Sequence, residues 1–161
     1  MSPPRRAFGP NPPGRLAGTM LRALAAELSD PARYARAKQY ARDGAVVDIV
    51  IEPGVVRGEV RGTRYDPYVA MLYVQPLPAD ELDATRESAV STALLIPSRA
   101  EVASTCTCPD GDTHAAAWCK HALATLLVLA DEVTIEPDEL RNWRSGTAQD
   151  APARVVADAP V

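Results

Sequence analysis

Aromatic residues are scarce in this chain: one Phe, two Trp and five Tyr, or 5% of 161 residues. Its interior must therefore be built mainly from Val, Leu, Ile and Ala. It has no apolar run near the ~20 residues needed to cross a bilayer. The longest with helical character, around Ala122–Ala130, is too short. Arg5 and Arg6 lie near the amino terminus, but no apolar segment follows them. A secretory signal is therefore not expected, and the expected compartment is the cytoplasm. Cysteine is limited to three residues, all within fourteen positions. An odd, tightly spaced set without a secretion signal does not make a disulfide framework. No Cys-x-x-Cys is present either, which removes the usual thiol-redox motif. A metal site is the reading left with most support.

Hydrophobic residues make up 47% and charged residues 24%, ordinary values for a soluble globular protein. The length allows one domain with a real core, or a small domain with tails. The formal net charge is −4, but it is unevenly placed. Residues 1–75 hold 11 Lys/Arg and 7 Asp/Glu, net +4; residues 76–161 hold 6 and 14, net −8. This split argues against binding nucleic acid over the whole surface and leaves room for a basic face in the first half. Solvated charge on both halves is the simpler reading.

The chain divides into five stretches. Residues 1–14 are Pro/Gly-rich and basic, a tail expected to be disordered. Residues 15–75 read as helical plus antiparallel β. Leu16, Met20, Leu21, Leu24 and Leu28 recur at helical spacing. Ser29-Asp30-Pro31 then ends one helix and caps a second, expected from Pro31 to Arg42 and carrying Arg33, Arg36, Lys38 and Arg42. VVDIVIE and VVRGEVRG flank the turn Glu52-Pro53-Gly54, and a third strand is expected at Tyr68–Val74, completing a three-stranded antiparallel meander. Residues 76–97 read as an acidic, Pro-rich linker with a short helix over Thr85–Leu95. Residues 98–145 hold all the cysteines, an apolar helix expected over Trp118–Glu132 with Leu123, Leu126, Leu127 and Ala130 as its buried stripe, and a short amphipathic piece near Pro137–Trp143. Residues 146–161 read as a disordered tail. The fold class expected is α+β: N-terminal helices, a three-stranded meander, and a small CxC…CxH finger ending in an apolar helix.

The chemistry lies in Cys106-Thr107-Cys108 and, ten residues later, Cys119-Lys120-His121. In extended backbone alternate side chains point the same way, so both sulfurs of the first pair can reach one ion. The second pair falls at the start of a helix, where the chain is still turning; in mid-helix an i, i+2 pair would diverge by ~200°. Three thiolates and one imidazole match the tetrahedral shell of Zn2+. Four protein ligands leave no open position for water, so such a zinc is structural. Other readings compete less well: a strained Cys106–Cys108 disulfide, or a cysteine nucleophile with His121 as its base. His114, between the pairs, is an alternative to His121 as ligand; its simpler reading is an exposed loop histidine. Asp110 and Asp112 read as turn formers.

CTC(x10)CKH followed at once by an apolar helix resembles the SWIM-type zinc finger, whose pattern is CxC…CxH and then a helix. RRAFG, the segment from RYARAKQYARDG to YVAMLYV, and LLIP before the cysteines are similar to small bacterial SWIM proteins lacking a helicase domain. The resemblance spans roughly residues 5–145. It departs after Phe8-Gly9, where Pro10-Asn11-Pro12-Pro13-Gly14 replaces the usual Trp-Trp-Gly, and in the shortened acidic region before the finger. It implies zinc held by Cys106, Cys108, Cys119 and His121. It also implies a short hairpin holding the first pair and a helix opening with the second. SWIM domains accompany Swi/Snf-type ATPases, transposases and recombination proteins, and are thought to bind DNA or protein.

Two functions follow as expectations. One is a non-enzymatic adaptor for a protein partner such as a helicase-like ATPase, with Trp118 and Trp143 as candidate contact aromatics, although core packing is the first reading of both. The other is an autonomous DNA-binding module, with Lys120, Arg57, Arg61 and Arg64 and the Arg33/Arg36/Arg42 helix on phosphates. A sequence isoelectric point of about 5.2 favours the adaptor. No membrane contact and no small-molecule substrate are expected.

Overall fold

Helix α1 (Arg15–Glu27) opens the architecture in the computed structural model, which describes residues 9–109 and 118–146. It is followed by α2 (Pro31–Arg42), strands β1 (Val46–Glu52), β2 (Val55–Val60) and β3 (Tyr68–Val74), and helices α3 (Ala79–Ala84) and α4 (Ala89–Ala93). Strand β4 (Val102–Cys106), helix α5 (Lys120–Ile135) and helix α6 (Asp138–Arg144) complete it. The class is α+β, as the sequence predicts, but the sheet has four antiparallel strands in the order β1-β2-β3-β4 rather than three. The added strand is the one that ends in Cys106. No helix among the described residues is long and apolar enough to cross a membrane.

The meander forms where its residues dictate. Gly54 sits at φ 85°, a left-handed turn conformation that glycine adopts without steric cost. The turn sets Ile51 opposite Val56 and Ile49 opposite Gly58. Period-2 alternation then places Val56, Gly58 and Val60, with Tyr68, Ala70, Leu72 and Val74, on one buried face. Helix α5 lies against that face. A Cβ on Gly58 would fall 2.4 Å from Thr125 Oγ1, so the strand approaches α5 more closely than any larger residue permits.

Helix α5 forms the middle layer. It contacts all four strands on one side and α1 and α2 on the other. A helix covered on two sides is apolar nearly all round. Its buried set accordingly extends beyond the expected stripe to Ala122, Ala124, Thr125, Leu129, Val133 and Thr134. The face of α1 also differs from the leucine pattern. Ala17, Gly18, Leu21, Leu24 and Ala25 are buried, whereas Leu16 (42% exposed) and Met20 (38%) turn outward. Small residues let α1 sit close to α5, and a pattern read from leucines alone overlooks them. On α2 the reading is matched closely: Asp30 caps the helix by accepting the Arg33 N–H at 2.9 Å, and Pro31 occupies the first turn.

The stretch expected to be a linker is folded. Helix α3 begins within it, a 3-10 turn at Thr85–Glu87 follows, and α4 replaces the single helix expected over Thr85–Leu95. The apolar helix starts and ends slightly later than expected, at Lys120 and Ile135.

Candidate metal centre

Cys106 is the last residue of β4, paired with Ala70 across β3. Cys108 lies two residues on, in the turn that leaves the sheet. Cys119 is the N-cap of α5, and its sulfur accepts the Ala122 N–H at 3.4 Å. His121 is the second residue of that helix. All four are buried, at 4–6% exposure, and their ligand atoms lie within 4.8 Å of one another.

This donor set fits a tetrahedral ion. With Zn–S near 2.3 Å and Zn–N near 2.0 Å, the edges of such a shell are ~3.6–3.8 Å. Cys106 Sγ and His121 Nδ1 stand 3.9 Å apart, and about one ångström of closure brings the widest spacing into range. The nitrogen facing the sulfurs is therefore Nδ1. His121 Nε2 is buried without a partner among the described residues, enclosed by rings. Tyr68 stacks on the imidazole with centroids 4.4 Å apart, and Tyr40 lies tilted at 5.6 Å. The thiols also share protons: a hydrogen bond from Cys106 holds Cys119 well below the ordinary thiol range, and the same contact with burial pushes Cys106 up. One thiolate is thus held by a neighbouring thiol that keeps its proton, and a metal ion bound there would have to displace the remaining thiol protons.

The middle residue of Cys-x-Cys fixes the pair. The Thr107 N–H donates to Val69 O at 3.1 Å, and Thr107 Oγ1 accepts the Val69 N–H at 2.9 Å. Arg64 Nη2 donates to the same hydroxyl at 3.1 Å. The guanidinium lies over the Tyr68 ring, 4.2 Å from its centroid. Thr107 is thus clamped to the start of β3 while its neighbours on either side turn inward. In place of a separate hairpin, the first pair is carried by a strand of the main sheet.

The four residues considered for phosphate contact differ in their surroundings. Arg57 lies on the opposite face of the sheet from α5, paired with Glu59 at 3.0 Å. Arg61 follows β2 and is exposed. Arg64 is committed to Thr107 and to the carbonyls of Asp66 and Pro67. Lys120 lies at the start of α5 with its ammonium 5.6 Å from the Tyr40 centroid. Trp143 is fully buried and cannot serve as a contact aromatic, and Trp118 is partly buried against the core. His114, Asp110 and Asp112, most of the amino-terminal tail and the tail after Gly146 lie outside the described residues.

Sequence reasoning named the four residues that the fold brings together and missed the groups around them: Thr107, Arg64, Tyr40 and Tyr68. A threonine between two ligands and an arginine in a loop carry no local signal of such a role.

No protein-family profile matches the chain, and no solved structure does. Among curated proteins it is similar to the uncharacterized protein Rv2102 of Mycobacterium tuberculosis, 28% identical over 153 aligned residues covering 78% of this chain. The chain spans about half that relative's length, 53%.

Proposed function

We propose that this chain is a zinc-binding module of the SWIM type, without catalytic activity of its own, that acts as an adaptor for a protein partner. The observation that carries the reading is the closed donor set: three buried thiols and a buried imidazole within 4.8 Å, with no fifth protein group converging on them among the described residues. Cys106, Cys108, Cys119 and His121 would hold the ion. Bound there, it supplies a rigid tie between the end of the sheet and the start of α5, and leaves no open position for substrate. The resemblance names a helicase-like ATPase of the Swi/Snf type as the partner class.

Elemental analysis of the purified chain tests the metal, with about one zinc per chain expected; a fully folded, metal-free protein overturns the reading. Affinity capture of the zinc-loaded protein, with and without nuclease, tests the adaptor role. A protein partner retained after nuclease is expected, and capture that disappears with nuclease turns the assignment toward DNA.

The second reading, an autonomous DNA-binding module, draws on Lys120 beside the centre and the exposed Arg61. It weakens because Arg57 and Arg64 have intramolecular partners. A gel-shift titration across salt discriminates: contact with several phosphates gives a steep loss of affinity with salt.

A further inference from the structure

Three helices, α1, α2 and α5, line a half-open cavity of about 190 Å3 away from the candidate metal centre. Its wall residues on α5, Leu127 and Asp131, lie six and ten positions beyond His121, ~9 and ~15 Å along the helix axis. The other lining groups are Arg22 from α1 and Tyr34, Lys38, Ala41 and Arg42 from α2. Three cations and one carboxylate therefore meet in a chain whose overall charge is negative.

The carboxylate is already engaged. Asp131 is 6% exposed and accepts from Arg22 Nη2 at 2.8 Å, so these two charges largely offset one another. Lys38 and Arg42 remain, both exposed at the mouth of the cavity. Among the described residues neither has a carboxylate within ion-pair distance. Lys38 Nζ lies 4.9 Å from the Tyr34 centroid, and Arg42 donates to the neutral amide of Gln39 at 3.0 Å. The cavity thus carries an excess of two positive charges over an apolar floor of Ala41 and Leu127. Low-dielectric walls focus such a charge on an anion. The space is below the ~300–1,000 Å3 of pockets that hold drug-sized ligands, so it suits one compact group. A nucleic acid needs cations spread along successive phosphates; here they line one small cavity.

We propose that this cavity binds the phosphoryl group of a small ligand, as free phosphate or as the terminal phosphate of a small metabolite, with Lys38 and Arg42 as the direct contacts and the Arg22–Asp131 pair as the fixed wall. The inference is independent of the metal reading, because none of its residues belongs to the centre.

The test is an NMR titration of the full zinc-loaded chain with inorganic phosphate, and separately with ribose 5-phosphate, against sodium chloride at matched ionic strength. The expected result is saturable shifts at Tyr34, Ala41 and Leu127 with phosphate and not with chloride. Tighter binding of the sugar phosphate assigns a metabolite; equal binding assigns free phosphate. Lys38→Gln with Arg42→Gln should weaken binding at least tenfold while leaving zinc content and the remaining spectrum unchanged. Linear shifts that match chloride, or a double variant that binds as well as the parent, overturn the proposal. So does a short DNA duplex that saturates the same amides more tightly than either small phosphate.

Discussion

The two ends of α5 are secured by opposite chemistries. At its amino-terminal end, three thiols and an imidazole converge and supply one another with few hydrogen bonds; His121 Nε2 has no partner among the described residues. At its carboxy-terminal end, α6 folds back and finds its partners within the chain. Trp143 is fully buried, its Nε1 donates to Leu72 O at 3.2 Å, and its own carbonyl accepts the Gly54 N–H at 2.8 Å. Asn142 donates to Ile51 O, and buried Arg141 to Thr85 O and Thr92 Oγ1. Arg144 reaches Gln75 O and Glu101. One end is tied by many hydrogen bonds to distant parts of the chain, although Gln75 Oε1, Arg141 Nε and Arg144 Nε are left without a partner among the described residues; the other is a cluster of four groups that could hold an ion. Stability should therefore depend on metal at one end only.

Cys119→Ser breaks the comparison most severely. Structural zinc contributes ~10–16 kcal/mol of apparent binding energy in small fingers, and that energy is coupled to folding. Here the shared core absorbs part of the loss, so a fall on the order of 5 kcal/mol or more is expected, together with loss of the zinc. Denaturant melts with elemental analysis measure both. A variant that keeps its metal and its midpoint removes the distinction between the ends.

Trp143→Ala should cost about 3–5 kcal/mol, the usual range for emptying a large aromatic site. Its zinc content should stay at the parent value, because the indole lies at the metal-independent end. Concurrent zinc loss on gentle purification would mean that the ends are one cooperative device. Arg144→Met is expected to cost less, about 1–3 kcal/mol, by removing one donor from Glu101 and one from the partly buried Gln75 carbonyl. It also carries a pH signature. Burial pulls the Glu101 carboxyl up, but the Ser98 N–H and then Arg144 outweigh it and hold it below the ordinary glutamate value of 4.5. A depressed folded-state value contributes stability that is present above 4.5 and is lost as pH falls through the lower folded value. Parent stability should fall over that acid window, and Arg144→Met should flatten the fall. Unfolding free energies measured from neutral pH to about pH 3 decide it, and a variant with an unchanged acid slope excludes Glu101 as the cause.

The legibility of the sequence follows the same division. The donor set, α2 and the meander are readable because local chemistry decides each one: ligand spacing, an Asp-Pro cap, and β-branched runs around Pro53-Gly54. What is not readable depends on distant partners. VASTC is too short and mixed to stand out as a strand, and it becomes β4 only because β3 offers an edge. The outward turn of Leu16 and Met20 is set by how closely Ala17 and Gly18 let α1 approach α5. Arg141 falls in the short amphipathic piece near Pro137–Trp143 and Arg144 just after it, with no local signal of burial, yet both are buried by contacts more than forty residues away in sequence.

The smallest effect sharpens the comparison within the metal end. Arg64 is exposed, so Arg64→Gln should change global stability by no more than about 1 kcal/mol. Its guanidinium nonetheless holds Thr107, the residue between Cys106 and Cys108, and stacks on the ring that lies against His121. Groups that orient metal ligands commonly alter affinity by ~10–100-fold, so zinc affinity measured by chelator competition should fall about tenfold. Arg57→Gln is the matched control: another arginine of the same β region, on the opposite face of the sheet from α5 and paired with Glu59. It should leave both zinc affinity and stability within about 0.5 kcal/mol of the parent. Equal zinc affinities in the two variants would mean that Thr107 needs no clamp, and that backbone pairing to Val69 alone orients Cys106 and Cys108.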